Sequence, residues 1–136
     1  MFYELDLFQD MALLEKALDV KGKRNEVIAN NIANADVPGF KRSKVVFEDL
    51  LQSHLKSSRL SMSTSRSRHF LTGDISSIEP KIIAQDDRIW RNDGNNVDIE
   101  KEMVEAVKNA YSYNITVDQA SRKFRILQSA INEGRR

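Results

Sequence analysis

Cysteine is absent from the 136-residue chain. Disulfides, thiolate metal sites and cysteine nucleophiles are therefore excluded. The absence does not fix a compartment. It suits an oxidising space, where stray thiols are a liability, and equally the cytoplasm. Proline and glycine are scarce, at two and five residues, so regular structure should dominate. Long apolar runs are missing too. The start, Met1-Phe2-Tyr3-Glu4-Leu5-Asp6, is acidic and lacks a basic segment. Neither a cleaved secretory signal nor a transmembrane span is expected. No sign of charge prevails, with 21 Lys and Arg against 20 Asp and Glu. Nothing in that balance demands nucleic acid or an anionic membrane.

What is present is 40% hydrophobic and 30% charged residues, the mix of one soluble folding domain. Three regions divide it: residues 1–40, 41–96 and 97–136. In the first, apolar residues recur at Leu7, Met11, Leu14 and Leu18, then at Ile28, Ile32 and Ala35. Steps of four and three form one helical stripe. Its middle passes Lys21, Gly22 and Asn25, so it reads as one helix with a soft centre, or two in line. Pro38 disfavours helix at Val37. Val37-Pro38-Gly39-Phe40 suits a type II turn, with Phe40 packing back on the helix.

The central region opens with an apolar patch, Val45, Val46, Phe47, Leu50 and Leu51. From Ser57 to Arg68 it is serine-rich and basic, the composition of a flexible loop. Lys81 to Ala84 and Arg88 to Arg91 read as two short strands around Gln85-Asp86-Asp87, a small β-hairpin. Residues 92–96, Asn-Asp-Gly-Asn-Asn, are a dense turn signal.

The third region carries the clearest pattern. Ile99, Met103, Ala106, Ala110, Tyr113, Val117, Ala120, Phe124, Leu127 and Ile131 alternate steps of four and three without a break. This heptad predicts a long helix with a narrow coiled-coil seam. Asp98 or Asn96 can cap its start, Glu100, Glu102 and Glu105 suit its positive end, and Gly134 can stop it. The fold is thus mainly α: long N- and C-terminal helices packed as a coiled-coil-like pair, with a small irregular centre. The pair leaves apolar surface over for inter-subunit packing, by this seam and by Leu7, Met11, Leu14, Leu18, Ile28 and Ile32.

Chemistry finds few candidates. His54 and His69 lie in or beside the basic stretch without a neighbouring carboxylate, and read as solvated. Asp86, Asp87 and Asp93 read as turn formers, since no calcium-loop spacing follows. No nucleophile elbow or phosphate-cradling loop occurs. No catalytic residue, metal site, cofactor or small-molecule substrate is expected. The cations at Lys21, Lys23 and Arg24 and in the serine-rich stretch lack interleaved aromatics, so nucleic acid is not the expected partner. A helical nucleic-acid-binding protein stands as the alternative.

The unusual segment is Asn30, Asn31, Ile32, Ala33, Asn34, then Pro38, Gly39 and Phe40. Asparagine is a poor helix former, yet three end this helix. Their amides donate and accept, which suits register-setting hydrogen bonds to an adjacent chain. The segment resembles the N-terminal signature of the bacterial flagellar rod, hook and related axial proteins. A second stretch, Asp93, Gly94, Asn95, Asn96, Val97 and Asp98, resembles the approach to the C-terminal helix in the short proximal rod proteins of the basal body. Two such short subunits share this outline, and the second remains an alternative. The resemblance implies a self-assembling structural subunit of the rod, the shaft carrying motor torque to hook and filament. It implies export through the flagellar type III apparatus without a cleaved signal, and assembly in the periplasmic space. The implied partners are other copies, other rod proteins, and basal-body ring and export-gate components.

Overall fold

The structure is a computed structural model. It describes residues 3–59, 78–86 and 92–133, with side chains for 10–53, 78–86 and 92–132. Five elements follow in order: helix α1 (Tyr3–Ala33), strand β1 (Ser43–Val46), helix α2 (Glu48–Arg59), strand β2 (Lys81–Ala84) and helix α3 (Ile99–Glu133). At about 1.5 Å per residue, α1 and α3 are roughly 46 and 52 Å long. No described helix is long and apolar enough to cross a membrane.

Helix α1 is unbroken through Gly22, so the soft centre does not split it. It ends as Asn34 N–H bonds back to Asn30 and Asn31, and the chain turns at Val37. Phe40 N–H donates to the Val37 carbonyl at 3.3 Å, and Gly39 has φ +72°. This is the type II turn expected of Pro38-Gly39. Helix α3 starts where Asp98 Oδ1 accepts from Lys101 N–H and the Asp98 carbonyl accepts from Glu102 N–H. Asp98 is therefore the cap.

The two long helices run antiparallel. Asn31 meets Glu102, Lys21 meets Asn109 and Ser112, and Asp10 meets Lys123. The small core sits beside them, beneath β1 and the start of α2. Val20 and Val27 of α1 pack there with Val45, Phe47 and Ile78, flanked by Leu50 and Leu51. The apolar stripe read for α1 omits Val20 and Val27. They lie on the neighbouring face, in line with Arg24 and Asn31, whose polarity hides that face from a hydrophobic pattern.

The centre differs from expectation in two respects. Lys81–Ala84 is a strand, but its partner is β1, antiparallel, with Val45 opposite Ile82. The expected partner, 88–91, lies outside the described residues. Ser57, Ser58 and Arg59 belong to α2 rather than to a loop; residues 60–68, with His69 and Gly134, lie outside the described ones. Helix α2 forms because Phe47 supplies the first carbonyl, to Leu51 N–H at 2.8 Å, and Glu48 and Asp49 suit the first turn. Leu50 and Leu51 then reach the core.

Truncating Phe47, 4% exposed, should cost about 3–5 kcal/mol. Ile82→Ser, at a side chain 58% exposed, should change stability by less than about 0.5 kcal/mol. Urea denaturation of the isolated protein would measure both.

Candidate functional site

The two motifs read from the sequence meet in space. Gly39 N–H donates to the Asp93 carbonyl at 2.9 Å. Gly39 and Gly94 both have positive φ, and a Cβ on Gly94 would lie 3.6 Å from the Gly39 Cα. Close backbone approach and backbone conformation together favour glycine here. Asn95 is fully buried. Its amide hydrogens are shared among the carbonyls of Asn34, Ala35 and Val37, at 3.0, 2.9 and 2.9 Å. Its Oδ1 accepts from Val97 N–H at 2.7 Å. The second motif thus holds the chain leaving α1. Asn96 does the same for the strands, with Oδ1 accepting from Arg42 N–H and Nδ2 donating to the Gln85 carbonyl.

Below this junction lies a buried carboxylate. Glu102 is 1% exposed. One oxygen accepts from Arg42 Nε and the other from Asn31 Nδ2, the latter at 3.0 Å. Asn31 is itself buried and exchanges two bonds with the Ser43 backbone, at 2.8 and 2.9 Å. Arg42 also donates to Gln85 Oε1. Hence Asn31 does not face an adjacent chain as expected; its amide joins α1, β1 and α3. Asn34, just past the end of α1, donates to the Asn30 carbonyl, Asn30 is exposed, and Ile32 and Phe40 are half-buried.

A cavity of about 480 Å³ adjoins the network. Its lining includes Arg24 with Glu48 and Arg42 with Glu102, ion pairs already satisfied by each other. The arrangement joins elements; it presents no nucleophile beside a free base. Burial alone would raise the Glu48 carboxyl, but the Arg24 guanidinium, bonding both its oxygens, brings it below the usual range. Lys21 is lowered by burial and then by the Arg24 charge, with Glu48 opposing. Its ammonium donates to Ser112 Oγ at 2.6 Å.

Rotation of α3 decides which face remains open. The residues turned to α1 include Glu102, Asn109 and Thr116, seven apart and all buried. Each immediately precedes a member of the heptad seam: Met103, Ala110 and Val117. The seam is therefore split lengthwise. Ala106, Ala120 and Leu127 are half-buried beside α1. Met103, Ala110, Val117, Phe124 and Ile131 are exposed, as are Ile99 and Tyr113. On α1, Ile28 is buried and Met11, Leu14 and Leu18 are half-buried; the side chain of Leu7 lies outside the described ones. Sequence reasoning did not find Glu102 as a partner of Asn31, or Arg42 at all. Arg42 lies two residues past Phe40, the end of the first motif, which is the only local signal it carries.

Three changes probe this junction. Arg42→Ala leaves the Glu102 carboxylate without its cation and should destabilise by about 3–5 kcal/mol in chemical denaturation. Asn95→Ala frees three carbonyls and should cost about 1–3 kcal/mol, with faster amide exchange at residues 34–39. The folded Glu48 pKa lies below its unfolded value. Its stabilisation is thus present above the ordinary glutamate pKa and is lost as pH falls through the lowered one. Arg24→Gln should flatten that acid-side slope in melting curves.

Comparison with known proteins identifies relatives of the chain. The family described as "Flagella basal body rod protein" matches residues 14–41, from Leu14 within α1 through the Pro-Gly turn. The flagellar basal body rod protein FlgB of Bacillus subtilis (strain 168) is 38% identical over 122 residues, 90% of this chain and 92% of that protein. That of Borrelia hermsii is 34% identical, covering 88% and 93%. That of Aquifex aeolicus (strain VF5) is 31% identical, covering 80% and 82%.

Proposed function

The chain belongs to the FlgB family of flagellar basal body rod proteins, and we propose that it builds the proximal rod by packing the open side of α3 against neighbouring subunits. It is a structural subunit of the rod and not an enzyme. That membership replaces the nucleic-acid-binding alternative.

One observation carries the packing: an unbroken heptad on α3 whose outward half is uncovered in the single chain. Isolated soluble domains rarely leave so continuous an apolar stripe in water. Burying it against another helix contributes roughly 25 cal/mol per Å² of apolar area, whereas an exposed ion pair contributes about 0–1 kcal/mol. A shaft that bears torque gains more from shared seams than from surface charges. The seam Ile99 to Ile131, with Met11, Leu14 and Leu18 of α1, is the packing surface. Asn30, exposed at the end of α1, is placed to add polar contacts between chains. Asn31 is committed within the subunit and orients the seam instead.

The partners in this reading are other copies, other rod proteins, and ring and export-gate components at the rod base. The subunit reaches the periplasmic space through the flagellar type III export apparatus. Resemblance to the axial family supports that route.

Val117→Asp and Phe124→Asp place a charge on the seam, at side chains 36% and 58% exposed. Each should abolish rod assembly and motility while the subunit is still exported. Normal motility in either strain would overturn the proposal.

A further inference from the structure

The two edges of the β1–β2 ribbon are not alike. Gln85 N–H donates to the Arg42 carbonyl at 2.8 Å, so the facing pairs Lys44–Ile83 and Val46–Lys81 exchange the ladder bonds. The peptide groups of Ser43 on β1, and of Ile82 and Ala84 on β2, therefore point outward. Ser43 has a substitute strand there. The Asn31 side-chain amide accepts from its N–H and donates to its carbonyl. Ile82 and Ala84 meet no such group among the described residues. Their edge borders an open groove of about 650 Å³. Ile82, on the same face of the ribbon as buried Val45, lines it with Pro80, with Leu18 of α1 and with Tyr113 of α3. The charged lining is three carboxylates against two ammonium groups. Lys23 is paired with Glu26 at 2.9 Å and Lys16 has a contact of its own, while Asp19 and Glu79 are exposed. The opposite face of the ribbon carries Lys44, Lys81 and Ile83, all exposed.

Outward N–H and C=O groups at alternate residues are matched by the backbone of another extended chain. The groove asks that chain for apolar and cationic side chains on one side. The lysines of the opposite face ask for small uncharged ones on the other. The sequence holds such a stretch. From Leu60 to Arg68, serine occupies positions 61, 63, 65 and 67, and Leu60, Met62, Thr64, Arg66 and Arg68 alternate with it. A period of two is that of a strand. We propose that residues 60–68 of one copy add a third strand to the β2 edge of the next copy of this chain. This rests on the rod reading above, which sets copies side by side, and adds a contact separate from the helix seam. The stretch and the edge belong to different parts of one molecule. The contact is therefore heterologous and propagates from subunit to subunit.

Ala84→Pro removes an outward N–H and leaves the β1–β2 bonds in place. The isolated protein should keep its urea midpoint. Cells carrying only this variant should lose rods at least about tenfold, since one backbone hydrogen bond is missing from every contact. Ala84→Ser keeps the N–H and should build rods normally. Normal rod numbers in Ala84→Pro, or equal loss in Ala84→Ser, would overturn the proposal. A lowered urea midpoint in Ala84→Pro would place the partner strand within the same subunit and overturn it too. The occupant is identified by thiols, which report without background because the chain lacks cysteine. Ile82→Cys would be combined in turn with Met62→Cys, Thr64→Cys and Arg66→Cys, and isolated basal bodies oxidised. A disulfide requires Cα atoms within about 7 Å. At least one pair should yield a ladder of covalent multimers, and its two single variants coexpressed should yield dimers. Disulfides within one chain only, products with a different protein only, or no product from any pair would each overturn the proposal. If Val117→Asp abolishes rods and Ala84→Pro does not, only this contact fails and the rod reading stands. Normal rods in both would sink both.

Discussion

A carboxylate removed from water must find cations and donors, and Glu102 finds them on two other elements. Arg42 supplies the charge and Asn31 the second hydrogen bond. An unpaired buried charge is costly by several kcal/mol, so the requirement is strict. Meeting it fixes the angle at which α3 lies on α1 and ties both to β1. The seam residues Met103, Ala110 and Val117 are exposed on α3 while Glu102, Asn109 and Thr116, one residue before each, point inward.

The consequence is a helix pair in which the inward face of α3 carries polar contacts while many of its apolar side chains are exposed. Asn109 donates to the Lys21 carbonyl, Lys21 to Ser112, and Lys123 to Asp10, down the length of the pair. Polar contacts specify register well because a misplaced buried donor is left without a partner. They contribute little net stability. The small core around Val20, Val27, Val45, Phe47 and Ile78 lies at one end, near the junction. The remote half of the pair has grooves instead. The molecule is thus anchored at the junction of its two motifs and reserves its apolar area for other chains.

Much of the scaffold was legible from residue spacing. Apolar steps of four and three gave both long helices, Pro38-Gly39 gave the turn, and the start of α3 was narrowed to Asp98 or Asn96, of which Asp98 is the cap. These are local effects, decided within a few residues. The β1–β2 pairing was not legible, because a short strand carries no mark of which partner will face it. Helix α2 was hidden by a serine-rich composition that continues past its end. The site was legible as two motifs but not as one structure. Asn95 reaching the Asn34 carbonyl spans 61 residues of chain, and no spacing rule crosses that distance.

The sequence by itself determined that α3 would be long, that a narrow apolar seam would run along it, and that two glycine-containing turns would flank the centre. Periodicity suffices for these because backbone geometry imposes it. It cannot say which helix covers a seam, since any apolar partner in register would serve. Only the tertiary structure decided that the chain's own α1 takes the face one residue away. The cause is electrostatic: burying the heptad under α1 would turn Glu102 from Arg42 and Asn31, and a buried carboxylate tolerates far less displacement than an apolar side chain.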